Sequence, residues 1–221
     1  GADHLDAAPA PPAASHQAPL LLSLYVEGDE LQDRPLLVAR APKVLGSSRL
    51  ATRFEILFGA RHDGEAETPA AVIARNTLGT RWTIADPPTA GHAGGSSCSG
   101  SLGERRCTVD YEANRFANRP RTMHIDLADG TMLRSRAPEY SHRLHGYCLD
   151  FFGRARLASV RNFQLVEAST ELTPGDEEAR CLLLFGRWSS DLFHLDVRAP
   201  FSLVDAFAIA VSSFATKIAT I

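Results

Sequence analysis

Pro200-Phe-Ser-Leu-Val-Asp-Ala-Phe-Ala-Ile-Ala-Val-Ser-Ser-Phe-Ala-Thr-Lys-Ile218 reads as a helix, and how that helix is housed decides the fold. Pro200 suits a helix start, where a missing N–H costs nothing. Ser202 followed three residues later by Asp205 has the form of a capping box, with Asp in the usual Glu position. Ala206, Ala208 and Ala210 are strong helix formers. From Leu203 to Phe214 only Asp205, Ser212 and Ser213 are polar, so apolar residues cover nearly every face. Such a helix must be buried on all sides, in protein or in membrane. A membrane span needs ~20 apolar residues. This run is shorter and carries Asp205 and Lys217 near its ends, so it is expected to lie inside protein, with Phe207, Ile209, Val211 and Phe214 as core residues. The alternative is an amphipathic helix docked on a sheet, with Ser212 and Ser213 facing out.

The rest of the chain reads as strands that could form the housing. Leu20–Val26, Pro35–Arg40, Arg53–Gly59, Ala70–Arg75, Thr80–Ala85, Arg105–Glu112, Arg121–Leu127, His145–Phe151, Leu157–Val166, Arg180–Phe185 and Asp191–Val197 are short runs bounded by turn residues. Regular short strands of this kind argue for an all-β sandwich or barrel. Cys181-Leu-Leu-Leu-Phe185 is continuously apolar, as in a strand covered on both faces. Leu192–Val197 alternates, with Leu192, His194 and Asp196 on one side and Phe193, Leu195 and Val197 on the other. A barrel of about a dozen strands is too wide for side chains alone to fill, and an all-apolar helix would fill it. Residues 1–19 are Ala/Pro-rich with little to bury and are expected to be disordered, leaving 20–221 as one domain.

The 221 residues are 44% hydrophobic and 22% charged, with a net charge of −3. That balance gives no global attraction to nucleic acid, and none is expected as a partner. Cys98, Cys107, Cys148 and Cys181 lack metal-ligand spacing, and buried free thiols in a reducing compartment are expected. No signal-peptide pattern and no membrane-length apolar run occurs in these residues; a preceding segment is expected, because the chain opens on Gly1 rather than Met. His142 and His145 have partial metal-site spacing but no supporting Cys or carboxylate pattern. Gly91-His-Ala-Gly-Gly-Ser-Ser97 lacks the Lys-Ser/Thr of a phosphate loop. No cofactor, no metal and no enzyme chemistry are expected. Arg154 and Arg187 follow two Phe-Gly pairs at strand turns and read as structural, pairing with backbone carbonyls or with acids such as Asp150 and Asp191.

Several motifs, in order along the chain, resemble those of the tubby family. They are Asn76-Thr-Leu-Gly-Thr-Arg-Trp-Thr-Ile-Ala-Asp86, Val109-Asp-Tyr-Glu-Ala-Asn114, Pro120-Arg-Thr-Met123, Phe152-Gly-Arg-Ala-Arg-Leu-Ala-Ser-Val-Arg-Asn-Phe-Gln-Leu-Val166, Phe185-Gly-Arg-Trp-Ser-Ser-Asp-Leu-Phe-His-Leu-Asp196 and the C-terminal stretch itself. The resemblance implies a mainly β fold: a closed antiparallel barrel of twelve strands around a central hydrophobic C-terminal α-helix. It implies a non-enzymatic, monomeric domain that binds phosphoinositide headgroups at a membrane surface. Such a domain is an adaptor, cytoplasmic and peripheral at the plasma membrane, in many relatives for traffic into a cilium or flagellum, with a protein partner left unidentified.

Headgroups with several phosphates require clustered Arg and Lys donors. The family supplies them with a Lys-x-Arg pair before the Asn-Leu-x-Gly-Thr corner, and here those positions hold Val72 and Ala74. A third basic position falls at Gly103. Arg105 shares the face of Gly103, and Arg75 adjoins Ala74 but should point the other way. Arg34–Arg61 holds Arg34, Arg40, Lys43, Arg49, Arg53 and Arg61 against the single acid Glu55. The candidate headgroup residues are therefore Arg75, Arg105, Lys43, Arg49 and Arg53, and the double change Val72→Lys with Ala74→Arg is expected to raise affinity. Loss of the three basic positions leaves a second reading open, a protein-interaction barrel without lipid binding. A third, an enzyme or a lipid handler like the scramblases, has no catalytic or calcium-binding carboxylate cluster to support it.

Overall fold

A computed structural model describes residues 20–27, 35–40, 53–59, 68–88, 102–112, 122–143, 145–171, 173 and 175–215. The Ala/Pro-rich segment 1–19 lies outside them, as do Lys43, Arg49 and Cys98. In chain order the strands are β1 (Leu20–Leu24), β2 (Leu37–Arg40), β3 (Arg53–Phe58), β4 (Ala71–Arg75), β5 (Arg81–Ala85), β6 (Arg105–Tyr111), β7 (Met123–Leu127) and β8 (Met132–Ser135). They continue with β9 (Glu139–Ser141), β10 (Gly146–Cys148), β11 (Phe163–Glu167), β12 (Leu183–Arg187) and β13 (Phe193–Val197). A one-turn helix α1 (Glu177–Arg180) precedes β12, and α2 (Leu203–Ala215) closes the described chain.

Eleven strands form one antiparallel sheet in the order β1-β2-β3-β4-β5-β6-β7-β8-β11-β12-β13, with β9 and β10 as a separate hairpin. Period-2 alternation decides which residues face inward. In β7, Met123, Ile125 and Leu127 are buried while His124 and Asp126 are exposed. The inward row Phe54–Ile73–Ile84–Cys107–Leu127 runs in register across five strands. On β13, Phe193, Leu195 and Val197 pack on the core, while His194 and Asp196 turn outward to Arg154. β12 is covered on both faces. A Cβ on Gly186 would stand 2.8 Å from the Arg154 carbonyl oxygen, so the 154–155 backbone lies directly on the outer side of this strand.

Helix α2 is the centre of the molecule. Ala206 through Ser212 are each no more than 1% exposed. At 3.6 residues per turn these residues present every helical face, so the docked alternative is excluded. Ser212 and Ser213 do not face solvent. Their hydroxyls donate to the Ile209 and Ala210 carbonyls at 2.7 Å each, the usual fate of Ser within a helix. Ser212 also shares a 2.8 Å hydrogen bond with the Tyr111 hydroxyl of β6. Phe214, half-buried, joins Phe185 and Phe193 at the C-terminal end of the helix. The expected cap is present, since Ser202 Oγ accepts from the Asp205 N–H at 3.1 Å.

Both edge strands reach the helix. Leu22 and Leu24 of β1 and Phe193, Leu195 and Val197 of β13 pack against one core with α2. Arg154 spans the two edges, donating to Asp196 of β13 at 2.7 Å and to Glu27, just past β1, at 3.0 Å. The sheet thus curls round the helix, but among the described residues no ladder joins β1 to β13. The observed wall is a wrapped sheet of eleven strands. Two of the expected strands are also shorter than their apolar runs. Leu157–Val166 yields a strand only from Phe163, because Ser159–Asn162 makes a turn closed by the Asn162 N–H on the Ser159 carbonyl. His145–Phe151 shrinks to Gly146–Cys148 and leaves the main sheet to pair with β9.

Candidate functional site

The outer face of β2–β6 is where the candidate basic residues meet, and the register places each of them. One row runs Arg40–Glu55–Val72–Ala85–Arg105, and the next runs Arg53–Ala74–Thr83–Thr108–Asp126. Phe54 and Ile56 of β3 point into the core, so Arg53 and Glu55 point out. Arg53 therefore stands directly across from Ala74. Arg105 stands two strands from Val72, about 10 Å at ~4.8 Å per strand. Arg81, in register with Asp110, adds a fourth cation to this face, donating through Nε and Nη2 at 2.6 and 3.1 Å.

Val72 is 0% exposed and Ala74 half-buried. A Lys at 72 would have to carry its ammonium out past the neighbours that cover Val72, while the half-buried Ala74 has more room. Gly103 is fixed by backbone contact. Its N–H donates to the Asp86 carbonyl at 3.0 Å, and a Cβ there would stand 2.6 Å from that same oxygen. Nothing larger than glycine fits.

Arg75 points away from this face, as alternation requires. Its guanidinium lies 5.9 Å from the centre of the Trp82 ring, on the core side of the sheet, where Arg75 Nε and Trp82 Nε1 are buried without hydrogen-bond partners. Arg105 does lie on the outer face. It donates to the Asp126 carbonyl at 3.2 Å and sits 3.6 Å from the Asp126 carboxylate. Both side chains are exposed, and such a pair holds only weakly, so Arg105 can be drawn to another anion.

The structure also brings forward residues that the alternation pattern hides. A bulge between Ile84 and Ala85 sets Arg105 opposite Ala85 and leaves Arg106 as the extra residue of β6. Arg106 reaches round the sheet's end to Asp205, Ser202 and Asp86. Its hydrogen bond with Asp205, the largest influence, holds the guanidinium protonated even more firmly than usual. A bulge is invisible in the residue pattern, but Arg105-Arg106 opening an apolar strand was the available signal.

A second group forms where the 154–162 segment meets the β12–β13 hairpin. The Arg156 guanidinium lies 3.6 Å above the Trp188 ring, Trp188 packs on His194 at 4.6 Å, and Arg161 lies over Phe214 at 4.8 Å. Arg154 pairs with Asp196 and Glu27 rather than Asp150, and hydrogen bonding with Arg154 lowers the Glu27 pKa. Arg187 pairs with carbonyls, those of Ser189 and Ser190.

The model of the Tub family matches residues 110–216. The chain carries a tubby family domain. Its tubby segment is 43% identical to "Tubby-like F-box protein 6" of Arabidopsis thaliana over 96 residues, 41% of this chain and 23% of that protein. It is 43% identical to "Tubby-like F-box protein 3" of the same plant over 88 residues, 40% of this chain and 22% of the relative. A rice relative, "Tubby-like F-box protein 11", is 46% identical over 89 residues, again 40% of the chain and 22% of the relative. The match thus spans under a quarter of these relatives' length. The matched part of the tubby domain includes β7–β13 and α2, so the Arg154 and Arg161 environments lie inside it, while Val72, Ala74 and Arg105 lie outside.

Proposed function

We propose that this tubby domain is a non-enzymatic binding module that meets the anionic surface of a membrane and takes phosphoinositide headgroups on the outer face of β2–β6. We further infer that its wrapped sheet closes on itself around α2 as a barrel, the first and last strands already sharing the helix and the Arg154 bridge. The observation that carries the binding reading is the register of Arg53 with Ala74. It returns a cation to the edge of the position where the family places its own. Arg105 flanks the same face from β6, and Arg81 adds a third guanidinium. Guanidinium groups bind phosphate oxygens in pairs and are strongest where the geometry is bidentate.

Glu55, Asp110 and Asp126 interleave with these arginines, so the face has to exchange internal pairs for phosphate. The expected binding is weak, salt-sensitive because the groups are exposed, and poor at separating headgroup isomers. By the same resemblance the protein works at the cytoplasmic face of the plasma membrane, as an adaptor for cargo moving towards a cilium or flagellum.

One observation favours a second reading, a protein-interaction barrel without lipid affinity: the buried side chain of Val72 and the tightly backed Gly103 leave two of the three family positions poorly suited to hold a base. Vesicle co-sedimentation at low salt separates the two. Recovery with phosphoinositide vesicles, reduced by Arg53→Glu and Arg105→Glu, supports the lipid reading. No recovery with any vesicle supports the protein-interaction reading.

A further inference from the structure

The end of the molecule that carries the C-terminus of α2 has a character the outer face does not share. The Ser212–Tyr111 hydrogen bond and the Phe193–Phe214 contact, with ring centres 5.1 Å apart, mark which end this is. Three loop tips lie at that end, the last two of them adjoining. The β4–β5 turn belongs to it because the Tyr111 N–H donates to the Thr80 carbonyl. The β12–β13 hairpin follows from the pairing of Arg187 with Phe193. The 157–161 turn is tied to the same hairpin by the Leu157 N–H on the Arg187 carbonyl, and to the helix by Arg161 over Phe214.

Each tip presents an apolar side chain to solvent. Leu78 is 78% exposed, Val160 76% and Leu192 53%, and Leu157 adds a further exposed leucine. Exposed apolar side chains also stand at the opposite end, Tyr25, Phe58 and Met132 among them, so what sets this end apart is the cations beside its tips. Beside the last two tips lie Arg156, over Trp188, and Arg161, over Phe214, neither with a carboxylate partner among the described residues. Asp191, held by Ser190 Oγ at 3.0 Å, is the acid of the hairpin. Exposed Leu157, Val160 and Leu192 beside two guanidinium groups that stack on aromatic rings, one of them the half-buried Trp188, match a bilayer: hydrocarbon for the tips, anionic headgroups for the cations, and the interfacial layer for tryptophan.

We propose that this end docks into an anionic lipid bilayer, with Leu78, Val160 and Leu192 entering the acyl boundary and Arg156 and Arg161 at headgroup level. The inference rests on the membrane-surface reading above but uses different residues, so the two can fail separately.

The test uses the whole chain and vesicles of phosphatidylcholine with a minority of phosphatidylserine and no phosphoinositide. The triple change Leu78→Gln, Val160→Gln and Leu192→Gln is expected to lower vesicle partitioning roughly tenfold or more, with an unchanged melting temperature because all three side chains are exposed. Met132→Gln, at the opposite end, is expected to change nothing. Lipids brominated near the headgroups are expected to quench Trp188, Trp82 being enclosed in the core. Equal partitioning of the parent and triple variant, an equal loss with Met132→Gln, or a parent that ignores these vesicles overturns the proposal. If the parent still binds phosphoinositide vesicles in an Arg105-dependent way, the headgroup reading survives that failure. A parent that binds no vesicle of any composition removes both.

Discussion

Arg106 Nε donates to Asp205 Oδ1 at 2.6 Å and Arg106 Nη2 to Asp205 Oδ2 at 3.1 Å, so a bulged residue of β6 holds the first turn of the central helix by a two-point contact. The same guanidinium reaches Asp86 at 2.9 Å and Ser202 at 3.2 Å. The pair is partly shielded, with side chains 29% and 16% exposed. It therefore lies between an exposed ion pair, worth at most ~1 kcal/mol, and a buried one, whose disruption costs ~3–5 kcal/mol.

Arg106→Ala and Asp205→Ala should each destabilise the domain by about 2 kcal/mol. The double variant should cost much less than the sum, because each single change strands the other partner. Chemical denaturation of the four proteins gives the coupling directly. Additive losses would mean that the two groups do not act as a unit.

Phe207 is 1% exposed within a helix enclosed on all sides. Phe207→Ala should cost about 3–5 kcal/mol, a large part of a typical ~5–15 kcal/mol total. Phe207→Asp adds an unpaired buried carboxylate and should yield no folded protein. A soluble Phe207→Asp variant with the parent's melting temperature would place the helix outside the core.

The thiols give a pH signature. Burial pushes Cys107 up to about 12 and Cys181 up to about 11, against ~8.5 for a free thiol. Between the unfolded and folded values the folded state keeps protons that the unfolded state has lost. The stability these groups contribute is complete below the unfolded pKa and is lost as pH rises through that window. Midpoints in urea should fall as pH is raised from about 8.5. At neutral pH, alkylation followed by mass mapping should label the half-buried Cys148 and spare Cys107 and Cys181 until denaturant is added.

Pro200–Ile218 was legible as a helix, but its apolar run alone left both burial and docking on a sheet open; the strand-rich remainder that could house it pointed to burial. The inward and outward sides of Phe193–Val197 were equally legible from strict alternation. Two short strands were not. Met132–Ser135 has only four residues, although Asp129-Gly130 before it is a hairpin signal, with Gly130 at φ 88° and Asp129 Oδ1 accepting from the Thr131 N–H. Glu139–Ser141 pairs only with β10 and carries no apolar period. The candidate face was half legible. Alternation sent Arg75 inward, as observed, whereas Arg105, two residues from the inward Cys107, is turned outward by the bulge. The burial of Val72, the backing of Gly103 by Asp86 and the bulge that frees Arg106 depend on neighbours distant in the chain, which no local pattern records.

The most direct measurement is vesicle co-sedimentation at low salt of the parent, Arg105→Glu and Ala74→Arg, with and without phosphoinositide. Ala74→Arg adds a guanidinium directly opposite Arg53, and one charge-assisted phosphate contact is worth about 1.5–3 kcal/mol where well formed. The expected result is weak, salt-sensitive, phosphoinositide-dependent binding of the parent, at least several-fold stronger for Ala74→Arg and reduced for Arg105→Glu. Tight, isomer-specific binding by the parent that neither substitution alters, or no vesicle binding by any of the three proteins, would contradict the assignment of this face to anionic headgroups.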